Sequence, residues 1–141
     1  MILLDTNVVS EPMRSNPDPG VVAWLDAQAA EGLYLSTISL AELLLGIENL
    51  PSGKRRKALA ASLDSQLIAL FGGRILSFDP QAAKLFPKLV MRARRRGYAV
   101  AAADVQIAAI ATLHGLTVAT RDVSPFEAAG VPTIDPWAAV P

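Results

Sequence analysis

A chain of 141 residues, 52% of them hydrophobic, with thirteen Lys plus Arg against thirteen Asp plus Glu, has the length of one domain with a sizeable core. Its balanced charge supplies no global field toward polyanions. The absence of cysteine and the single histidine, His114, exclude disulfides, thiolate metal sites, a cysteine nucleophile and chemistry that needs two histidines in one chain.

In chain order, Ile2-Leu3-Leu4 is an apolar run that stops at Asp5-Thr6-Asn7, the pattern of a buried strand delivering a carboxylate to a sheet edge. Ser10-Glu11-Pro12 and Asn16-Pro17-Asp18-Pro19-Gly20 punctuate a short helix and a loop, and Pro19 opens a helix through Val21, Val22, Trp24 and Leu25 that Gly32 ends. Leu33 to Ser36 reads as a strand. Ser39 to Leu45 is apolar enough for a helix largely inside, and Gly46 within it points to close packing. Lys54-Arg55-Arg56-Lys57 opens a helix carrying Leu59, Leu63, Leu67 and Leu70, stopped by Gly72-Gly73.

Arg74 to Phe78 is the third strand, and Asp79-Pro80 is a cap-plus-proline start for a helix reaching Arg96. Ala103 to His114 is a helix apolar nearly all round, hence buried, with Gly115 as its stop. Leu116 to Thr120 is a fourth strand, and Val131 to Ile134 a short edge strand where proline is tolerated. Tyr98 to Leu113, the longest apolar stretch, contains Asp104 and Gln106 and is too short to span a bilayer. The N-terminus lacks a signal-peptide pattern, so the expectation is a cytoplasmic protein without a membrane segment. A mean hydropathy of +0.35 suggests apolar surface that a partner covers.

Short apolar strands alternating with helices predict an α/β domain spanning 1–141, with a mainly parallel sheet of four to five strands covered on both faces. Sites in such sheets form beyond the carboxyl ends of strands, where Asp5 and Asp122 fall; Glu42 and Asp104 belong to helix beginnings. Each acid has an ordinary alternative. Asp5 caps the next helix, Glu42 completes a capping box with Ser39, and Asp104, on an inward face with Ile107, Ala108 and Ala111, pairs with Arg121 or a helix N-terminus. Asp122 has no capping duty, since Ser124-Pro125-Phe126-Glu127 starts the next turn. Gathered together, the four carboxylates repel one another and recruit a cation, and oxygen-only ligation selects Mg²⁺ or Mn²⁺. Such ions activate water and stabilise phosphoryl charge, the chemistry of phosphodiester hydrolysis. The basic runs Lys54–Lys57 and Arg92–Arg96 either grip phosphates or are solvated helix faces, and His114, Trp24 and Trp137 read as structural.

The ordered fragments Ile2-Leu3-Leu4-Asp5-Thr6-Asn7-Val8, Leu35 to Leu43, Gly73 to Leu76, Asp104 to Ala111, Thr117 to Asp122 and Asp135-Pro136-Trp137 resemble the PIN-domain ribonucleases. Within them they are most similar to the VapC-like toxins of type II toxin-antitoxin systems, in the FitB branch. That resemblance implies an acidic quartet at Asp5, Glu42, Asp104 and Asp122, with Thr6, Asn7 and Thr120 as supporting polar positions. It also implies an Mg²⁺- or Mn²⁺-dependent ribonuclease acting on RNA, a homodimer, and an antitoxin whose DNA-binding domain carries the pair to DNA. The competing expectation is a catalytically idle metal-binding module acting through that antitoxin. A haloacid-dehalogenase-like phosphatase beginning at Asp5 fits poorly, because the second acid it needs two residues on is Asn7.

Overall fold

The N-terminal apolar run becomes β1 (Ile2–Leu4), the middle strand of a five-stranded sheet. In the computed structural model, which describes residues 1–138, β2 (Leu33–Ser36) and β4 (Thr117–Ala119) flank it, with Leu4 opposite Leu35 on one side and Ala119 on the other. β3 (Ile75–Leu76) and β5 (Thr133–Ile134) form the edges, giving the order β3-β2-β1-β4-β5 with every pairing parallel. Parallel neighbours need crossover connections, which run through helices. These are α1 (Thr6–Ser10), α2 (Pro19–Asp26), α3 (Thr37–Glu48), α4 (Lys54–Phe71), α5 (Pro80–Arg95), α6 (Ala102–His114) and α7 (Ser124–Ala128). The expected α/β architecture is the observed one.

Successive residues of a strand face opposite sides, and β1 divides its side chains accordingly. Leu3 joins Val118, Ile107, Ile110 and Phe126 in one core, while Leu4 joins Leu35, Leu63 and Phe71 in the other. With both faces covered, the strands read as continuous apolar runs. α6 is the most enclosed helix, with Val105 and Ile107 through Ala111 all buried. Burying side chains such as Ile107 and Ile110 contributes roughly 1.5–3 kcal/mol each. Gly115 ends α6 at φ 66°, a left-handed turn that costs glycine nothing.

Several local expectations change. α2 stops at Asp26, and a separate 3₁₀ turn, Ala30–Gly32, leads into β2. α3 is not largely inside: only Ser39 and Leu43 are buried, and Leu44 and Leu45 are 51% and 61% exposed. Its one packed stripe is enough to hold it against the domain, so the remaining leucines face outward. Gly46 has no heavy atom within 4 Å of where a Cβ would sit, so the close packing expected there is absent from the described residues of this chain. β3 is shorter than Arg74 to Phe78, because only two of its residues reach the neighbouring strand. Asp79 does cap α5, accepting from the Ala82 N–H at 2.8 Å. Among the described residues no helix is long and apolar enough to cross a membrane.

Candidate active site

The strand order runs outward from β1 in both directions, which places a topological switch point between β1 and β4. Both strands end on the same rim. The Asp5 N–H donates to the Ala119 carbonyl at 2.9 Å, joining the first residue past β1 to the last of β4. Thr120, fully buried, donates from Oγ1 to Asp5 Oδ2 at 2.8 Å and accepts from the Asp122 N–H at 3.2 Å. One hydroxyl thus ties together two acids that are 117 positions apart in sequence, 122 less 5.

Asp5 is also the N-cap of α1, its Oδ1 accepting from the Thr6 N–H at 2.8 Å. The capping reading holds for Oδ1, which leaves Oδ2 to the bond from Thr120. The capping box proposed for Ser39 and Glu42 does not form. Ser36 is the cap of α3, accepting from the Ser39 N–H at 3.0 Å, so the helix begins three residues earlier than a Ser39 cap requires. That leaves Glu42 a full turn inside, where Oε1 accepts from Thr6 Oγ1 at 2.8 Å. α7 starts likewise without a side-chain cap from Ser124, which is its first residue.

Asp104 sits in the first turn of α6. Arg121 does not pair with it: the guanidinium lies over the Trp137 ring, 5.0 Å from the centroid. Among the described residues no hydrogen bond or ion pair reaches the Asp104 carboxylate. Asp5, Glu42, Asp104 and Asp122 line one hollow of about 390 Å³, together with Thr6 and Asn7. Ser10 and Phe126 complete its wall and were missed from sequence, although Thr6 and Ser10 at i, i+4 share a helix face that would have shown the first. Asn7 accepts from the Arg121 N–H at 3.4 Å, which fastens α1 to the segment after β4.

Crowding of like charge shows in proton affinity. Burial pushes the Asp5 carboxyl up, against the lowering effect of its bonds from Thr120 and Thr6, and Glu42 and Asp122 add to the rise. Asp104 is pushed up to about 6, first by burial and then by Asp5, Asp122 and Glu42. Carboxylates so placed gain from a cation as well as from a proton. The donor set fits a hard divalent ion in kind, being oxygen throughout. As the side chains stand, no group of three or more His, Cys, Asp or Glu among the described residues closes on an ion. Glu42 is held by Thr6 and Asp5 by Thr120, whereas no hydrogen bond among the described residues holds the Asp104 carboxylate.

A second hollow of about 450 Å³ lies away from the acids, between α2 and α4, and is walled by Val9, Met13, Leu25, Leu67 and Phe71. Its wall is mostly apolar, with Asp26, Ser62 and Gln66 as its polar members.

The PIN-domain family model matches residues 2–131. The chain is 53% identical to plasmid stability protein StbB of Pseudomonas syringae pv. tomato, covering 99% of this chain and 100% of that one. It is 47% identical to VapC ribonuclease Y4jK of Sinorhizobium fredii (97% and 98% covered) and 49% identical to Toxin FitB of Neisseria gonorrhoeae (97% and 99% covered). The solved structure of FitAB bound to an IR36 DNA fragment superposes with a TM-score of 0.96 at 45% identity, covering 100% of this chain and 99% of that one. With the family model spanning most of its length and such relatives matching end to end, the chain belongs to the PIN-domain family, beside its FitB and VapC members.

Proposed function

We propose that this protein is the toxin of a type II toxin-antitoxin pair and an endoribonuclease dependent on Mg²⁺ or Mn²⁺. The observation that carries the reading is the convergence of Asp5, Glu42, Asp104 and Asp122 on one hollow at the switch point of the sheet. Asp5, Asp104 and Asp122 would hold the ion. Thr120 fixes the rotamer of Asp5 and the backbone of Asp122, and Thr6 holds Glu42 where it can orient an attacking water and take its proton. A divalent ion bound there lowers the pKa of water and offsets charge on the phosphoryl oxygens. The chain has no cysteine, and its one histidine is exposed at the far end of α6, so the carboxylates are the groups available at this site.

The names of the relatives, a VapC ribonuclease and a FitB toxin, support the same reading. The FitAB–DNA complex supports a DNA-bound pair, and the DNA contact falls to the antitoxin because this chain shows no DNA-reading helix pattern. Exposed Leu44, Leu45, Ile68 and Leu70 and the apolar hollow beside α4 are surfaces that a partner or a second copy covers, in keeping with a homodimer bound by antitoxin in the cytoplasm.

The test is cleavage of RNA by the purified chain with Mg²⁺ or Mn²⁺, abolished by EDTA and by Asp5→Asn. No cleavage of structured or single-stranded RNA, with Asp5→Asn retaining full metal affinity, overturns it. The second reading is a catalytically idle metal-binding module that acts through its antitoxin. Expression in cells separates the two: growth arrest relieved by Asp104→Asn supports the nuclease, and arrest unchanged by it supports the idle module.

A further inference from the structure

A polar hollow of about 340 Å³ adjoins the acidic one and has no part in the chemistry just described; its walls include Glu11, Arg14, Asn16, Asp18, Arg121 and Trp137. The two hollows are one residue apart. Arg121 precedes Asp122, and its N–H bonds Asn7, while Asn7 and Asp122 both line the acidic side.

Most charges around this hollow are already committed. Glu11, almost wholly buried, accepts from the Asp18 N–H at 2.9 Å and from Arg14 at 3.1 Å. Asp18 caps α2, accepting from the N–H groups of Gly20 and Val21 at 2.8 and 3.1 Å. Arg121 has no carboxylate partner among the described residues. Its guanidinium is held instead by the face of Trp137, whose backbone N–H donates to Asp135 Oδ1 at 2.9 Å and whose ring packs on the core around Leu4 and Val8. A cation–π contact holds the guanidinium near the ring without using its N–H donors.

A pocket of four carboxylates repels a polyanion, and a fixed cation one residue away offsets that repulsion where the strand enters. In the basic runs elsewhere, Arg56 bonds Glu48, Arg92 and Arg96 bond the carbonyls of Ala129 and Glu127, and Lys54, Arg55, Lys57, Arg94 and Arg95 line neither hollow. The hollow is of the size of a single nucleotide, which suits an unpaired strand.

We infer that this hollow seats the RNA nucleotide next to the scissile phosphate, with Arg121 donating to that nucleotide's phosphate oxygen and Trp137 acting as the positioning residue behind it. The inference rests on the ribonuclease reading. Its test measures steady-state cleavage of a single-stranded oligoribonucleotide with Mn²⁺. Arg121→Ala raises KM about tenfold, the loss of one charge-assisted contact, while kcat stays within about twofold. The slope of log KM against log salt becomes shallower by about 0.7, one phosphate contact fewer on a single strand. Arg121→Lys restores the salt slope, and Trp137→Phe, which keeps an aromatic face and the core contact, retains most of the affinity. If the wild type cleaves and Arg121→Ala keeps both KM and salt slope, the subsite is overturned and the ribonuclease reading stands.

If the wild type cleaves nothing, the ribonuclease reading falls and the subsite is judged by binding alone. In a Trp24→Phe background, Trp137 fluorescence is titrated with the same oligonucleotide in Ca²⁺. A change that Arg121→Ala abolishes supports the site. No change, or one elicited by an antitoxin tail peptide and not by RNA, overturns it.

Discussion

Thr120 has one hydroxyl and uses it twice, donating to Asp5 and accepting from the Asp122 backbone. Groups that orient ligands typically carry about 10–100-fold in metal affinity or activity. Thr120→Val, close in shape but without the hydroxyl, is expected to weaken cleavage, and Mn²⁺ binding measured by calorimetry, by a factor in that range. Unchanged Mn²⁺ binding would show that Asp5 needs no such support. Asp104 supplies the pH dependence. Its carboxyl, pushed up from an ordinary 3.8 to about 6 by burial and by Asp5, Asp122 and Glu42, holds its proton more tightly folded than unfolded. Between those values the folded state binds more protons, so this contribution to stability falls as pH rises and levels off above about 6. Asp5, raised in the same direction, adds to it. In EDTA, Asp104→Asn should melt close to the wild type near about pH 4 and higher than it above about pH 6; parallel melting curves would contradict the assignment. Glu11 behaves oppositely. Its carboxyl is held low chiefly by the Asp18 N–H, with Arg14 assisting, so its support is present above 4.5 and is lost as pH falls. Junction positions and the family resemblance singled out in sequence the four acids that line the hollow. Their hydrogen-bond partners were only half legible there, because Thr6, Asn7 and Thr120 are near them in sequence or motif, whereas the engagement of Arg121 with Trp137 rather than Asp104 depends on where the chain returns after β5.

At the scale of elements, strands and most helices followed their signals, and α3 is the instructive exception. Ser36, Thr37 and Ser39 can each cap a helix, and local chemistry does not choose among them. The choice falls on Ser36 because β2 ends there, and it moves Glu42 from a capping duty to the rim of the hollow. α3 also mixes one buried stripe with outward leucines, which composition alone reads as an interior helix. The basic end of α5 has a structural use that periodicity could not show. Arg92 lies against Gly130 and donates to the Ala129 carbonyl at 3.2 Å, clamping the end of α7. Gly130 has φ 83°, and a Cβ there would stand 2.5 Å from an Arg92 guanidinium nitrogen. Gly130→Ala therefore combines left-handed backbone strain, roughly 1–2 kcal/mol, with displacement of Arg92. Denaturant titration should show a loss of at least that size, while a neutral result would mean that α7 and Arg92 readjust freely.

Over the whole molecule, the 52% hydrophobic content is more than the two cores enclose, and the surplus appears as Leu44, Leu45, Ile68 and Met91 on the surface. Light scattering is expected to give the isolated chain twice its 14.9 kDa mass, and Leu45→Glu to shift it toward the single-chain value; an unaltered dimer would place the contact on another face. The sequence by itself determined the alternation of strands and helices, the two-sided burial of the sheet, the exclusion of cysteine and multi-histidine chemistry, and the placing of four acids at element junctions. Those properties live in residue type and short spacing, which local chemistry reads directly. Only the tertiary structure decided that Asp5, Glu42, Asp104 and Asp122 share one hollow, since their meeting depends on β1 lying between β2 and β4 with all three strands pointing the same way. The order and direction of strands are set by long-range pairing and crossover handedness. That arrangement is what converts an apolar run ending in Asp5 into one wall of the hollow.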